Sequence, residues 1–460
     1  MLKSLLLAPV AALLAATLSS SALALPLAPN ETQLSDGLTV AARHATASPT
    51  VALEAWIICP SNGYDGAKPG IARLTGLSIA STKVAGASLR DLVRLEGGQI
   101  SVSIFPGSTE IAIVAPAYAA DRLADALVAR VFHPTVDAAG FRDAKLRMAE
   151  QQLLASGNPA LLLRDAVFNT LFVNGPFHAS PFGTSSSLKA MTGADVQTFA
   201  GQAYQPGNAI VVAVGSVDEQ AFLRRIASAA PPAGSVPAFP ASAQTSPPAQ
   251  PTMNGFADTA GVALGWVGPA VDDERASTAM DFISDYLTRP SYGLVAKALH
   301  TSNPAIEFSG QFITLRGAGV FYMSASADKL PVQLTADAMR AAMKPLLDGP
   351  LPGAEFARAL DAFRTHTLRD AQTPQELADN YGWYFAQGAP AYTPSAIDPA
   401  LSGDYFKRAA ALTPDLIFRT AKTYLAGAPA TVTVAPRPTS QTTTGDMPPQ
   451  RVLTRGGSIR

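Results

Sequence analysis

Histidine is the side chain best suited to hold a metal or move a proton near neutral pH, and the chain has five: His44, His133, His178, His300 and His366. They lie far apart, and no pair has the i, i+4 or H-x-H spacing that puts two imidazoles on one ion, so a sequence-local zinc site is absent. Each reads as a surface or satisfied core side chain; His178, in "NGPFHASPFGT", reads as the entry to a turn. Hydroxyl nucleophiles fare no better. No G-x-S-x-G elbow occurs, and the S-x-x-K spacing at Ser186 and Lys189 falls at a helix start without its companion motifs. "LEGGQI" lacks a phosphate-loop lysine, so Gly97-Gly98 reads as a turn ending a helix. Asp272, Asp273 and Glu274 read as a solvated turn. In "GAKPGIARLTGLSIASTKV", Ile71, Leu74, Leu77 and Ile79 form an apolar stripe, and Arg73 is the sole charge between Lys68 and Lys83.

The elements that would position such residues follow from periodicity. The first half predicts strands over 38–43, 51–59, 100–105, 110–115 and 209–214, and helices over 69–84, 89–96, 120–131, 138–155, 159–172 and 194–204. Strands and helices come in groups rather than in strict alternation. That predicts an α+β fold, a largely antiparallel sheet with helices packed on one face. The unit is written twice. "VALEAW" at Val51 returns as "VALGW" at Val262, an offset of 211; the helix at Phe141 returns at Phe356, an offset of 215; the strand after Tyr204 returns after Tyr424, an offset of 220. Ordered matches with a slowly drifting offset imply an internal duplication.

Length and composition bound the rest. At 460 residues, 48% hydrophobic and 15% charged, the chain is globular with more than one domain, and a net charge of -1 gives no footprint for nucleic acid. Residues 1–24 carry Lys3, an apolar run and Ala22-Leu23-Ala24, which predicts a signal peptide cut near Ala24, no membrane anchor, and a periplasmic or secreted protein. Cys59 is the single cysteine and reads as a buried thiol. The expected organisation is an N-terminal domain over 30–227, a Pro/Ala-rich linker over 228–254, a C-terminal domain over 255–436 and a flexible tail over 437–460.

The ordered segments "LSDGLTVAARHATASPTVALEAWIICPSNGYDGAKPGIARLTGLS", "LEGGQISVSIFPGSTEIAIVAP", "HPTVDAAGFRDAKLRMAEQ" and "SPFGTSSSLKAMTGADVQTFAGQAYQPGNAIVVAVGSVD" resemble the insulinase/pitrilysin family of inverted-zincin metallopeptidases. The resemblance implies a clamshell of two homologous α+β halves. The family's zinc helix carries H-x-x-E-H; here its positions fall on Arg73, Gly76 and Leu77, and the later glutamate ligand falls near Glu150 or Gln151. The family's substrate-binding arginine and tyrosine fall at Gly293 and Ile306, with Arg289 and Tyr292 close but shifted. All of these positions are degenerate, and one carboxylate facing an arginine cannot hold a divalent ion.

The resemblance therefore implies a non-catalytic subunit or pseudopeptidase, with no cofactor, that pairs with a zinc-bearing homologue as a hetero-oligomer and encloses extended peptides. Two alternatives stand beside it. One is a zinc-dependent peptidase with a relocated site, for instance His44 or His178 with Glu150; the other is a stand-alone peptide-binding clamp using an exposed strand edge.

Overall fold

The computed structural model describes residues 30–33, 37–45, 48–58, 68–174, 177–178, 180–231, 243–244, 252–254, 259–290, 292–388 and 405–436. The expected leader, the tail after 436 and Cys59 lie outside them.

The first half runs β1 (Asn30–Gln33), β2 (Thr39–His44), β3 (Thr50–Ile58), α1 (Ile71–Ser81), β4 (Lys83–Val84), β5 (Ala87–Ser88) and α2 (Leu89–Leu95). It continues with β6 (Gln99–Phe105), β7 (Ser108–Pro116), α3 (Ala120–Phe132), α4 (Ala138–Ser156), α5 (Pro159–Leu171), β8 (Phe172–Asn174), α6 (Ser185–Ala190), α7 (Gly193–Ala203), β9 (Ala209–Gly215) and α8 (Glu219–Ala229). The second half runs β10 (Ala243–Gln244), β11 (Thr252–Asn254), β12 (Thr259–Gly268), α9 (Glu274–Thr288), α10 (Leu294–Ser302), β13 (Glu307–Ile313) and β14 (Gly319–Asp328). It ends with α11 (Val332–Asp348), α12 (Gly353–Arg369), α13 (Pro374–Ala386), α14 (Tyr405–Ala410), α15 (Pro414–Leu425) and β15 (Ala430–Ala435).

Local chemistry sets the helix starts. Asp137 accepts the Gly140 N–H ahead of α4, Asn158 accepts the Leu161 N–H ahead of α5 with Pro159 in the first turn, and Thr373 and Glu376 form a capping box ahead of α13. The Asp272-Asp273-Glu274 turn has the same job: Asp273 caps α9 by accepting from Ala276. Within the Pro/Ala-rich stretch α8 runs on to Ala229, β10 pairs with β8 and β11 pairs with β15.

The sheets carry the duplication. Their strand orders are β1-β2-β9-β3-β7-β6 and β11-β15-β12-β14-β13, which superimpose once β1 is set aside. Most pairs are antiparallel; β2–β9 and β11–β15 are parallel. Each sheet buries one face under its own helices: Val51, Leu53, Ala55 and Ile57 of β3 pack with α1, α3 and α7 residues. The opposite face is covered too, by one helix of the other half. In the first half Ala52, Trp56, Ile210 and Val212 share a core with Leu377, Ala378 and Tyr381 of α13. In the second half Ala263, Val320, Tyr322 and Val432 share one with Leu163, Val167 and Leu171 of α5. From Pro159 to Pro374 is again an offset of 215, so α5 and α13 are duplicates that have each crossed to the partner sheet.

Glycine makes both crossings close. A Cβ on Gly382 of α13 would overlap the Trp56 indole, and a Cβ on Gly265 of β12 would overlap Val167. The alternation also corrects one expectation. Trp56 faces α13, whereas Trp266 faces its own half's helices and donates to the Gly427 carbonyl at 3.0 Å, so the two tryptophans are not equivalent. With Val51 set on Val262, Trp56 meets Val267, and a one-residue slip sends a side chain to the opposite face.

Candidate functional site

The helix in the zinc-helix position, α1, starts after Gly70, whose φ of 89° only glycine takes easily. Arg73 is buried against α4, where its Nε donates to Gln151 Oε1 at 2.8 Å and its guanidinium sits 4.6 Å from the Phe182 ring centroid. Burial, then the Arg164 charge, pushes it down to about 10. A Cβ on Gly76 would lie 2.9 Å from Val102 Cγ1 and 3.1 Å from Thr109 Cγ2, and Leu77 is buried in the first-half core. Glu150 is exposed on α4, so the residue that meets Arg73 is Gln151. A guanidinium, an amide, a filled glycine position and a leucine do not fit zinc, which needs thiolate, imidazole or carboxylate donors.

A cavity of about 370 Å³ lies between the halves and adjoins one of about 360 Å³ lined by second-half residues; the two share Asp281, Gln311, Asn380 and Tyr384. The larger is walled by Ile104 and Phe105 of β6 and by Gln311, Phe312 and Ile313 of β13. Both are edge strands of their sheets; on the outer side of β13 Gly310 O already accepts from Thr288 Oγ1 at 2.8 Å and Phe312 N–H donates to Ser284 Oγ at 2.9 Å, so the open backbone edge at the cavity is mainly that of β6. At the shared wall Asp281 accepts from Tyr405 Oη at 2.8 Å. Burial pushes its carboxyl up to about 7 against the pull of the Tyr405 hydrogen bond and the Arg408 charge.

Beside the smaller cavity His366 is a buried histidine satisfied at both ring nitrogens. His366 Nδ1 lies 2.9 Å from Asp285 Oδ1, and His366 Nε2 lies 2.5 Å from Tyr292 Oη, with the two rings stacked at 5.0 Å. Arg289 clamps Asp370 with contacts of 2.8 and 3.2 Å and stands 3.7 Å from Asp285. Arg289 and Tyr292 thus gather at this wall, while Ile306 is buried in the second-half core and Gly293 begins α10. A Cβ on Gly293 would sit 2.6 Å from the Leu287 carbonyl. His366 is on α12, 215 residues beyond Gln151 on α4, so Asp285–His366 and Arg73–Gln151 bridge corresponding helix pairs in the two halves. That offset was the one available signal. In such a chain the aspartate orients the imidazole, and the imidazole can take the phenol proton.

A third constellation lies on the far face of the first sheet. Glu54 of β3, Glu110 of β7 and Asp379 of α13 place carboxylate oxygens within 4.8 Å of one another. Glu54 Oε2 accepts from Trp56 Nε1 at 2.7 Å, and Trp56 stacks on Phe105 at 5.3 Å with Trp383 edge-on to both. Burial foremost, then Glu110 and Asp379, holds Glu54 well above the carboxylate range; burial and Asp379 push Glu110 up to about 8.

The remaining candidates serve the fold. His44 Nδ1 bonds the Val217 carbonyl at 2.9 Å, His178 Nδ1 that of Phe172 at 2.5 Å, and His300 Nε2 that of Ile306 at 3.0 Å. His133 is exposed after α3. The structure does not bring His44, His178 and Glu150 into one site: among the described residues, the group close enough to share an ion is Glu54, Glu110 and Asp379. Ser186 bonds the Thr184 cap of α6 at 2.9 Å, and Lys189 ends that helix.

Comparison with known proteins fits this picture. Residues 190–363 match the family model described as the peptidase M16 inactive domain. A 71-residue stretch is 35% identical to the zinc protease PqqE of Helicobacter pylori, covering 15% of this chain and 16% of that protein, so the match spans a small part of either. Among solved structures, a protease from Helicobacter pylori is similar over 89% of this chain and 99% of its own, with TM-score 0.77 and 19% identity. A peptidase M16 inactive domain from Pseudomonas fluorescens is similar over 89% and 98%, with TM-score 0.74 and 16% identity. A duplicated α+β clamshell fold, and an M16 inactive-domain segment over residues 190–363, are what this chain shares with these proteins.

Proposed function

We propose that this chain is a non-catalytic M16 subunit, exported, that pairs with a zinc-bearing homologue and holds extended peptide between its two halves. The observation that carries this is the contrast between the two places. The zinc-helix position is sealed by the Arg73–Gln151 contact and by Val102 and Thr109 around Gly76, whereas the cavity between two edge strands is kept. An edge strand can add an extended peptide through its free backbone groups, and pockets between side chains then select residues. Asp281 would meet that peptide at the shared wall, with Asp285 and His366 lining the adjoining cavity.

The test combines three measurements on the mature chain: zinc content, binding of an unstructured peptide, and peptidase activity after mixing with the zinc-bearing homologue from the same source. The reading expects no stoichiometric zinc, peptide binding, and a gain in the homologue's turnover. Co-purification with no homologue and no gain on mixing would remove the subunit reading; peptide binding by the isolated chain would then leave the clamp. Chelator-sensitive cleavage by the chain alone would overturn both.

A further inference from the structure

The buried carboxylates Glu54, Glu110 and Asp379 are an anomaly in an otherwise apolar seam between the first sheet and α13. Glu54 is fully buried and Glu110 nearly so, and Glu54 Oε1 and Glu110 Oε1 are each sealed from solvent with no donor from outside the carboxylate cluster. Among the described residues, no arginine, lysine or histidine forms an ion pair with any of the three. Buried carboxyls persist by keeping a proton, by pairing or by binding a metal.

We infer that Glu54, Glu110 and Asp379 form a binding site for one hard divalent cation, of the calcium or magnesium class, which clasps α13 of the second half to the first sheet. The donors are all carboxylate oxygens, the set such ions prefer. Their mutual separation of at most 4.8 Å matches the span across a calcium coordination sphere, whose bonds are about 2.3–2.6 Å. A shared proton bridges two carboxylates at a time, whereas a single cation engages all three together with the orphaned oxygens. Asp379 is partly exposed, so the cluster is not closed to solvent on the side of α13. Trp56, held to Glu54 by its indole N–H, and Trp383 report on the site. The inference does not depend on peptide binding, and its test reads only the ion.

The full mature chain, stripped with a chelator at neutral pH, is titrated with calcium, magnesium and manganese chlorides by calorimetry and by thermal melting. One saturable site and a cation-dependent rise in Tm are expected, with bound manganese quenching the emission of Trp56 and Trp383. In the isosteric double variant Glu110→Gln, Asp379→Asn, checked for folding by circular dichroism, the site and the Tm rise are lost. If the double variant does not fold, Asp379→Asn alone, at the partly exposed position, should weaken binding at least about tenfold. A folded wild-type chain that shows neither binding heat nor Tm shift with any of the three ions at millimolar concentration overturns the site. Binding that survives in a folded variant, or that leaves the tryptophan emission unchanged, places the ion elsewhere and overturns it equally.

Discussion

At the residue scale, Arg73 and Gly76 decide what can be rebuilt. Two histidines at positions 73 and 77 would stand at i and i+4 on α1, but a glutamate at 76 has no room, because a Cβ alone already presses on Val102 and Thr109. Gly76→Glu is therefore expected to destabilise the chain by about 3 kcal/mol or more, from overpacking and a buried carboxylate, as read by urea unfolding. A stability equal to wild type would mean that α1 can shift away from the sheet. Asp281 supplies a pH test. Its folded-state carboxyl stands near 7, against about 3.9 unfolded, so its contribution is complete below pH 4 and is lost as the pH rises through 7. Tm should fall between pH 5 and pH 8, less steeply in Asp281→Asn; superimposable profiles would exclude this group as a source.

At the scale of elements, α4, α5, β2, β3, β6, β7 and β9 are legible within about two residues, because apolar stripes and caps are local signals, whereas the helix expected over 69–84 overruns α1 into β4, and the short strands β1, β5 and β8 carry too little pattern to read. The crossing of α5 and α13 was not legible. Leu163 meets Gly261 and Val167 meets Gly265 roughly a hundred residues away, and nothing in the local pattern of α5 says which sheet its apolar side will cover. For the same reason Glu54 and Glu110 read as ordinary strand residues until Asp379 is brought beside them. Which of Glu150 and Gln151 meets Arg73 needed the helix rotation. Leu163→Ala, at a fully buried contact of α5 with the second sheet, is expected to cost about 2–5 kcal/mol in chemical unfolding. A loss well under 1 kcal/mol would mean that α5 is only loosely seated.

At the scale of the whole molecule, the exchanged helices make the two halves one body. Proteolytic cutting within the Pro/Ala-rich stretch 232–242 should leave fragments that co-elute on size exclusion and separate only in denaturant, since α5 and α13 each stay seated on the other fragment's sheet. Fragments that part under native conditions would show that the two crossings are too weak to hold the halves. The same crossing sets an order for synthesis. The first sheet receives its last strand at Gly215, but the helix that covers its far face begins at Pro374, 159 residues later. At about 5–20 residues per second the ribosome needs about 8–30 s to supply it. Throughout that interval Ala52, Trp56, Ile210 and Val212 stay wet, and the nascent chain must be sheltered by something other than itself.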